Sequence, residues 1–203
     1  APYDFLVADY AVDYPFNYSA EDRLLLSPYM MRITPDGDSL FSDWVDSLYK
    51  AGERIQTFAL LIRINQRVYE NITYQRREEE GVQLAHHTLS QCTGSCRDFA
   101  NLYIELVRAM GFAARFVSGY LYADLPTEQS GATHAWAEVF IPGAGWKGFD
   151  PTTGLVVGVD HIAVAVARLP EAVPPIAGSF LGAAESRMIV DVSVAEHVEH
   201  EES

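Results

Sequence analysis

The sequence predicts an α+β fold, and two observations carry that expectation. Apolar residues recur at helical spacing through the first half of the chain, while β-type runs separated by turn sequences fill much of the second. At the join lies Gly94-Ser95-Cys96-Arg97-Asp98-Phe99, where a glycine-containing approach delivers a cysteine to the first turn of an amphipathic helix. The expected architecture is a set of N-terminal helices, then this central cysteine-bearing helix packed on an antiparallel β-sheet.

Length and composition set the bounds. A chain of 203 residues with 49% hydrophobic and 21% charged residues can bury one substantial core, and no apolar run reaches the roughly 18 residues of a membrane span. The net charge of −14 argues against nucleic acid and anionic membrane as partners, both of which select clustered Lys and Arg. Two cysteines, Cys92 and Cys96, are too few for a disulfide framework and fit a reducing compartment. With no targeting signal visible, the expected location is cytoplasmic; a trimmed N-terminus would hide an export signal. Cys92 reads as a buried bystander.

Residues Ala1 to Tyr29 lack clear periodicity and carry Pro2, Pro15 and Pro28, so an extended lead-in is expected there. After the Pro35-Asp36-Gly37 turn signal, Phe41, Trp44, Val45 and Leu48 predict a helix over Ser39 to Tyr49, ended by Gly52. Ile55, Phe58, Ala59, Ile62, Gln66 and Tyr69 predict a longer one from Glu53 to Tyr69. Asn71 to Tyr74 is β-prone, and Gln75 to Gly81 reads as a solvated charged loop. Thr88 to Gly94 leads into the central helix. There Ser95 as N-cap and Asp98 three residues on resemble a capping box, Phe99, Leu102, Tyr103, Leu106 and Met110 form the buried stripe, and Gly111 supplies the stop.

Strand candidates follow at Ala113 to Tyr122, Thr133 to Ile141, Trp146 to Asp150, Val156 to Leu169 and Arg187 to Val194, with loop composition at Asp124 to Gly131. Glu196 to Ser203 reads as an acidic tail, and its His197 and His200 are weak metal candidates against a solvated tail.

Three residue types point to chemistry. Unpaired backbone N–H groups and the helix dipole favour a negative charge at a helix start, which suits Cys96 as a thiolate nucleophile. A hairpin centred near Pro142 would set His134 opposite Asp150, Trp136 opposite Gly148 and Glu138 opposite Trp146. Alternation then puts His134, Trp136, Glu138 and Asp150 on one face and Ala135, Ala137 and Val139 on the other, free to pack on the helices. A carboxylate on one imidazole nitrogen leaves the other to exchange a proton with a nucleophile, so Cys96, His134 and Asp150 can act as nucleophile, base and orienter. Gly94, Ser95 and Trp136 are the expected substrate-binding or site-wall residues, with Trp136 over the small Gly148 covering the site. Each residue taken singly has a structural explanation; their joint occurrence favours a site.

The chain also resembles the transglutaminase-like superfamily of papain-type cysteine enzymes, most closely its compact bacterial members. The resemblance lies in Gly94-Ser95-Cys96-Arg97-Asp98-Phe99-Ala100, then Ala114 to Tyr120, His134-Ala135-Trp136-Ala137-Glu138-Val139 and Gly145-Trp146-Lys147-Gly148-Phe149-Asp150-Pro151-Thr152. It extends weakly to His161-Ile162-Ala163-Val164-Ala165-Val166 and Val173-Pro174-Pro175. It implies a papain-like/transglutaminase core over residues 36–195. Residues 1–35 would then be an extended segment left from, or linking to, a β-rich domain, and 196–203 the tail. It further implies Cys96 as nucleophile, His134 as base and then acid, and Asp150 as orienter.

The expected function is cysteine-dependent acyl transfer or hydrolysis on a protein or peptide amide through a thioester, with a primary amine as one conceivable acceptor. The alternative is a non-catalytic module that keeps the fold and binds a peptide or protein. No metal or organic cofactor is implied. The Cys96 N–H is the obvious oxyanion donor, with Tyr74 or Gln91 as candidates for a second.

Overall fold

The computed structural model describes residues 6–122 apart from 36, 78 and 80, residues 133–176, and the separate positions 178, 181, 182, 192 and 194. A 3₁₀ turn at Asp9–Ala11 and the short strand β1 (Asp13–Tyr14) precede α1 (Ala20–Met30). Then come α2 (Ser39–Leu48), β2 (Ile55–Gln56), α3 (Thr57–Asn71), β3 (Thr73–Tyr74), α4 (Ala85–Gln91), β4 (Thr93–Gly94) and α5 (Cys96–Ala109). The second half supplies β5 (Ala114–Leu121), β6 (Thr133–Ile141), β7 (Gly145–Asp150), β8 (Leu155–Val156) and β9 (His161–Ala167). Helices and an antiparallel sheet are thus segregated along the chain, as the α+β expectation requires. No helix among the described residues is long and apolar enough to cross a membrane.

α5 is the centre of the core. Its stripe residues Phe99, Leu102, Tyr103 and Leu106 are fully buried, and so are Ile104 and Val107 between them. Each such side chain contributes about 1.5–3 kcal/mol by leaving water, and the cost of the buried polar groups is met by partners. Tyr103 Oη donates to the Leu61 carbonyl of α3 at 3.1 Å. Glu105 accepts the Ile33 and Thr34 N–H groups at 2.8 and 2.7 Å and pairs with Arg108 at 3.1 Å. Arg108 in turn donates to the Tyr29, Ala114 and Arg168 carbonyls. A helix buried on every side cannot rotate, which fixes the residue at its tip. Met110 ends it and Gly111, at φ 90°, turns the chain away.

Among the described residues, five strands form the main sheet in the order β8-β7-β6-β5-β9, every neighbouring pair antiparallel. Ala135, Ala137, Val139 and Ile141 of β6 join the core with α5. That is the apolar face expected of this strand. Because the start of β6, the end of β7, the end of β5 and the start of β9 all lie at one end of the sheet, His134, Asp150 and His161 are brought to the same edge.

The lead-in differs from expectation, since residues 20–30 form α1 rather than extended chain. Ser19 caps it by accepting the Asp22 N–H at 3.0 Å. Helical spacing is hidden because Leu24 and Leu25 face outward, at 77% and 67% exposure, and only Leu26 is buried. Pro28 stands inside the helix, where it cannot bond the Leu24 carbonyl, and the Ser27 hydroxyl donates to that carbonyl instead at 3.3 Å. A second unexpected helix is α4, which ends at Cys92 in the left-handed region, φ 53°. Cys92 is exposed, with its thiol donating to the Leu89 carbonyl, which corrects the reading of a buried bystander. The long helix starts at Thr57, not Glu53, because β2 pairs with β1 just before it. The expected loop at Asp124 to Gly131, the tail with His197 and His200, and nearly all of the strand expected at Arg187 to Val194 lie outside the described residues.

Candidate active site

Cys96 is the first residue of α5, and its approach is held from both sides. β3 and β4 pair in parallel, setting Tyr74 beside Gly94. Asp98, fully buried, folds back so that Oδ2 accepts the Ser95 N–H at 2.7 Å and the Ser95 hydroxyl at 2.9 Å. The same carboxylate receives Arg77 at 2.8 and 3.0 Å and the Gln83 N–H at 2.6 Å. The expected cap is present, and it also organises the preceding loop. Arg77 is therefore not simply part of a solvated charge run; its side chain is 17% exposed and pairs with the buried Asp98 at 2.8 Å as well as with the exposed Glu79 at 3.5 Å. A Cβ on Gly94 would fall 2.8 Å from the Asp98 Cβ, so only glycine leaves room for the folded-back carboxylate. Arg97 lies over the Phe116 ring at 4.8 Å and donates to the Pro170 and Val173 carbonyls. With its flanking residues tied down, Cys96 stays partly accessible.

His134 is the second residue of β6 and Asp150 the last of β7. Their contact is direct, Nε2 to Oδ2 at 2.8 Å. The register that produces it differs from the expected one by two residues: Glu138 pairs with Gly148 and Phe140 with Trp146, and the loop is Pro142-Gly143-Ala144. A shift of two leaves every side chain on its original face, so the partnership survives as a diagonal contact. Asp150 is held for it, with Oδ1 accepting the Thr152 N–H at 2.9 Å across a local turn and its carbonyl accepting the Gly154 N–H and the Asn65 amide.

Burial alone would discharge both groups, but hydrogen bonding reverses that. Burial lowers the His134 pKa, whereas its hydrogen bonds to Asp150 and to Cys96 raise it more, leaving it pushed up to about 10. Burial raises that of Asp150, and the hydrogen bonds from His134 and His161 hold it well below the usual carboxylate range. Both shifts favour an imidazolium paired with a carboxylate, and Cys96 is the other side chain that acts on the His134 ring. With Nε2 engaged by Asp150, Nδ1 is the nitrogen left to exchange a proton with the thiol.

His161 completes the cluster. Its Nε2 lies 3.2 Å from the same Asp150 oxygen, its side chain is 7% exposed, and its ring meets the Trp136 indole edge-on at 5.2 Å. In the sequence His161 stands out only within a weak resemblance, because no local pattern announces that β9, paired with β5, starts within reach of Asp150. Trp136 is 1% exposed, so it backs the two imidazoles and does not cover the site from solvent. The small residue beside it is Gly119 rather than Gly148: a Cβ at Gly119 would meet Ile162 O at 2.1 Å and Trp136 Cη2 at 2.8 Å, whereas Gly148 faces Val157. The donor atoms of His134, Asp150 and His161 lie within 4.8 Å of one another, a set that a transition metal accepts. Their contacts are ordinary N–H···O separations, so hydrogen bonding accounts for the cluster.

Of the two candidates for a further oxyanion donor, Tyr74 is the one placed beside Cys96: burial and then the Cys96 charge raise its hydroxyl pKa. Gln91 is exposed on α4.

Residues 50–151 match the transglutaminase-like superfamily. A protein of Mycobacterium tuberculosis is 36% identical over 137 residues, which cover 63% of this chain and 43% of the relative, and Bacillus subtilis YebA is 30% identical over 95 residues, covering 42% and 13%. The chain thus spans less than half the length of these relatives. Among solved structures, a candidate cysteine protease from Cytophaga hutchinsonii superposes with a TM-score of 0.58 at 24% identity, covering 75% of this chain and 49% of that one. The periplasmic domain of Pseudomonas aeruginosa TgpA gives 0.50 at 23% identity, covering 66% and 48%. At these identities the two structures speak for the fold.

Proposed function

The chain belongs to the transglutaminase-like superfamily, and from that premise we propose that it is a cysteine-dependent enzyme acting on a protein or peptide amide. The observation that supports this best is His134 joined to Asp150 at 2.8 Å on one side and engaged with the helix-tip Cys96 on the other.

In the proposed reaction the Cys96 thiolate adds to the carbonyl carbon of a glutamine carboxamide or a peptide bond. The backbone N–H of Cys96, aided by the Tyr74 hydroxyl, holds the oxyanion. His134 then gives its proton to the leaving nitrogen, the C–N bond breaks, and a thioester remains on Cys96. Water or a primary amine adds to the thioester as His134 takes a proton from it, and the carbon–sulfur bond breaks to regenerate the thiolate. Asp150 stays ionised throughout, orienting the ring and stabilising the imidazolium. A reducing compartment, which keeps both cysteines as thiols, suits this chemistry.

The test is incubation of wild type and Cys96→Ala with a glutamine-containing protein and with a peptide library, each with and without a fluorescent primary amine. Ammonia or peptide release that requires Cys96 supports the proposal, and amine incorporation separates transfer from hydrolysis. Turnover that persists in Cys96→Ala would sink it.

A further inference from the structure

Asp150 Oδ2 faces two imidazoles, a redundancy that a Cys-His-Asp site does not need. The second ring has a definite tautomer. Gly158 N–H donates to His161 Nδ1 at 3.4 Å, so Nδ1 accepts and the proton sits on Nε2, aimed at Asp150 3.2 Å away. Trp136 fixes the plane of the ring from the side, and Gly119, in the irregular step of the β5–β9 pairing, lets the Ile162 backbone and the indole come close enough to do so.

We infer that His161 is a positioning residue for the site proposed above, on which this rests: its Nε2–H anchors the Asp150 carboxylate and divides Oδ2 between two donors, moderating the grip of Asp150 on His134. The carboxylate is then held by three groups, Thr152 N–H on Oδ1 and the two imidazoles on Oδ2. Among the described residues, the titratable groups facing this cluster are Cys96 from α5, Asp150 from β7 and the two histidines from β6 and β9, with Tyr74 from β3 and Arg97 from α5 acting on Cys96. His161 itself does not touch the reacting atoms. It acts through Asp150, as outer partners of an imidazole–carboxylate pair commonly do.

The test needs no substrate. Iodoacetate carries a carboxylate that the His134 imidazolium attracts, so the pH dependence of Cys96 alkylation, followed by peptide mass mapping, reports where His134 loses its proton. In His161→Phe, which keeps a ring against Trp136 and removes the donor, the alkaline limb should move up by about half a unit or more, because Oδ2 is then left to His134 alone. In His161→Gln, whose amide nitrogen can stand where Nε2 stood, the limb should return to the wild-type position. An unmoved or lowered limb in His161→Phe, or the same shift in both variants, overturns the inference. A wild-type profile with no alkaline limb is a different failure, that of the underlying Cys96–His134 reading. Should His161→Phe not fold, the wild-type protein still decides: ¹⁵N chemical shifts of His161 should show an Nε2-protonated ring, and an Nδ1-protonated ring overturns the inference.

Discussion

His134 and Asp150 meet at 2.8 Å although no rung of the β6–β7 ladder joins them. The register runs Ala137 with Phe149 and Glu138 with Gly148, which carries Trp136, not His134, opposite Asp150. The contact is diagonal, and it depends on the turn after Asp150 that aims Oδ2 along the sheet edge. Charge at this contact should therefore matter more than strand pairing. Asp150→Asn, which preserves size but not charge, is expected to lower kcat by about four orders of magnitude, as neutralising a triad carboxylate does. It should also move the alkaline limb of the pH–rate profile down from about 10. Steady-state kinetics across pH checks both.

Stability should depend on pH through the same pair. His134 is raised in the folded protein from 6.5 to about 10, so it binds its proton more tightly there than in the unfolded chain. Its stabilisation is complete below about pH 6.5 and is lost as pH rises towards 10. Asp150 is depressed, so its contribution is complete above its unfolded value of about 4 and is lost only as pH falls below it. Thermal unfolding of wild type should weaken between pH 6.5 and 10, and His134→Gln should flatten that slope. An equal slope in both proteins would exclude His134 as its source.

Tyr74 is expected to serve the oxyanion rather than the fold, since it is 55% exposed yet coupled to Cys96. Removing its hydroxyl in Tyr74→Phe should lower kcat by about ten- to a thousandfold, with little change in melting temperature. Gln91→Ala should change neither. Kinetics and calorimetry on the two variants separate the candidates.

Gly119 carries a packing requirement. Gly119→Ala would drive a methyl group into Ile162 O and the Trp136 ring, and backbone cannot swing aside as a side-chain end can. The expected loss is about 1–3 kcal/mol in denaturant unfolding. His161 would be displaced with β9, so the alkaline limb of Cys96 alkylation should move up as in His161→Phe.

Much of this site is legible in the sequence for a physical reason. The Ser95-Cys96-Arg97-Asp98 cap is local chemistry, and strand alternation fixes that His134 and Asp150 share a face even when the register is misjudged by two. What the sequence hides is set by distant parts of the chain. His161 reaches Asp150 because β9 pairs with β5 on the far side of β6. α1 escapes periodicity because Leu24 and Leu25 face outward. Arg77 reads as one charge in a run until Asp98, twenty-one residues later, claims it.

The most direct measurement is the rate of carbamidomethylation of each cysteine by iodoacetamide at pH 7, read by peptide mass mapping in wild type and His134→Ala. Cys92 is exposed and serves as an internal reference. A Cys96 paired with His134 should react about tenfold or more faster than Cys92 in wild type, and His134→Ala should remove that advantage while leaving Cys92 unchanged. If Cys92 takes the label first and Cys96 is indifferent to His134, the thiol at the tip of α5 is not an activated nucleophile.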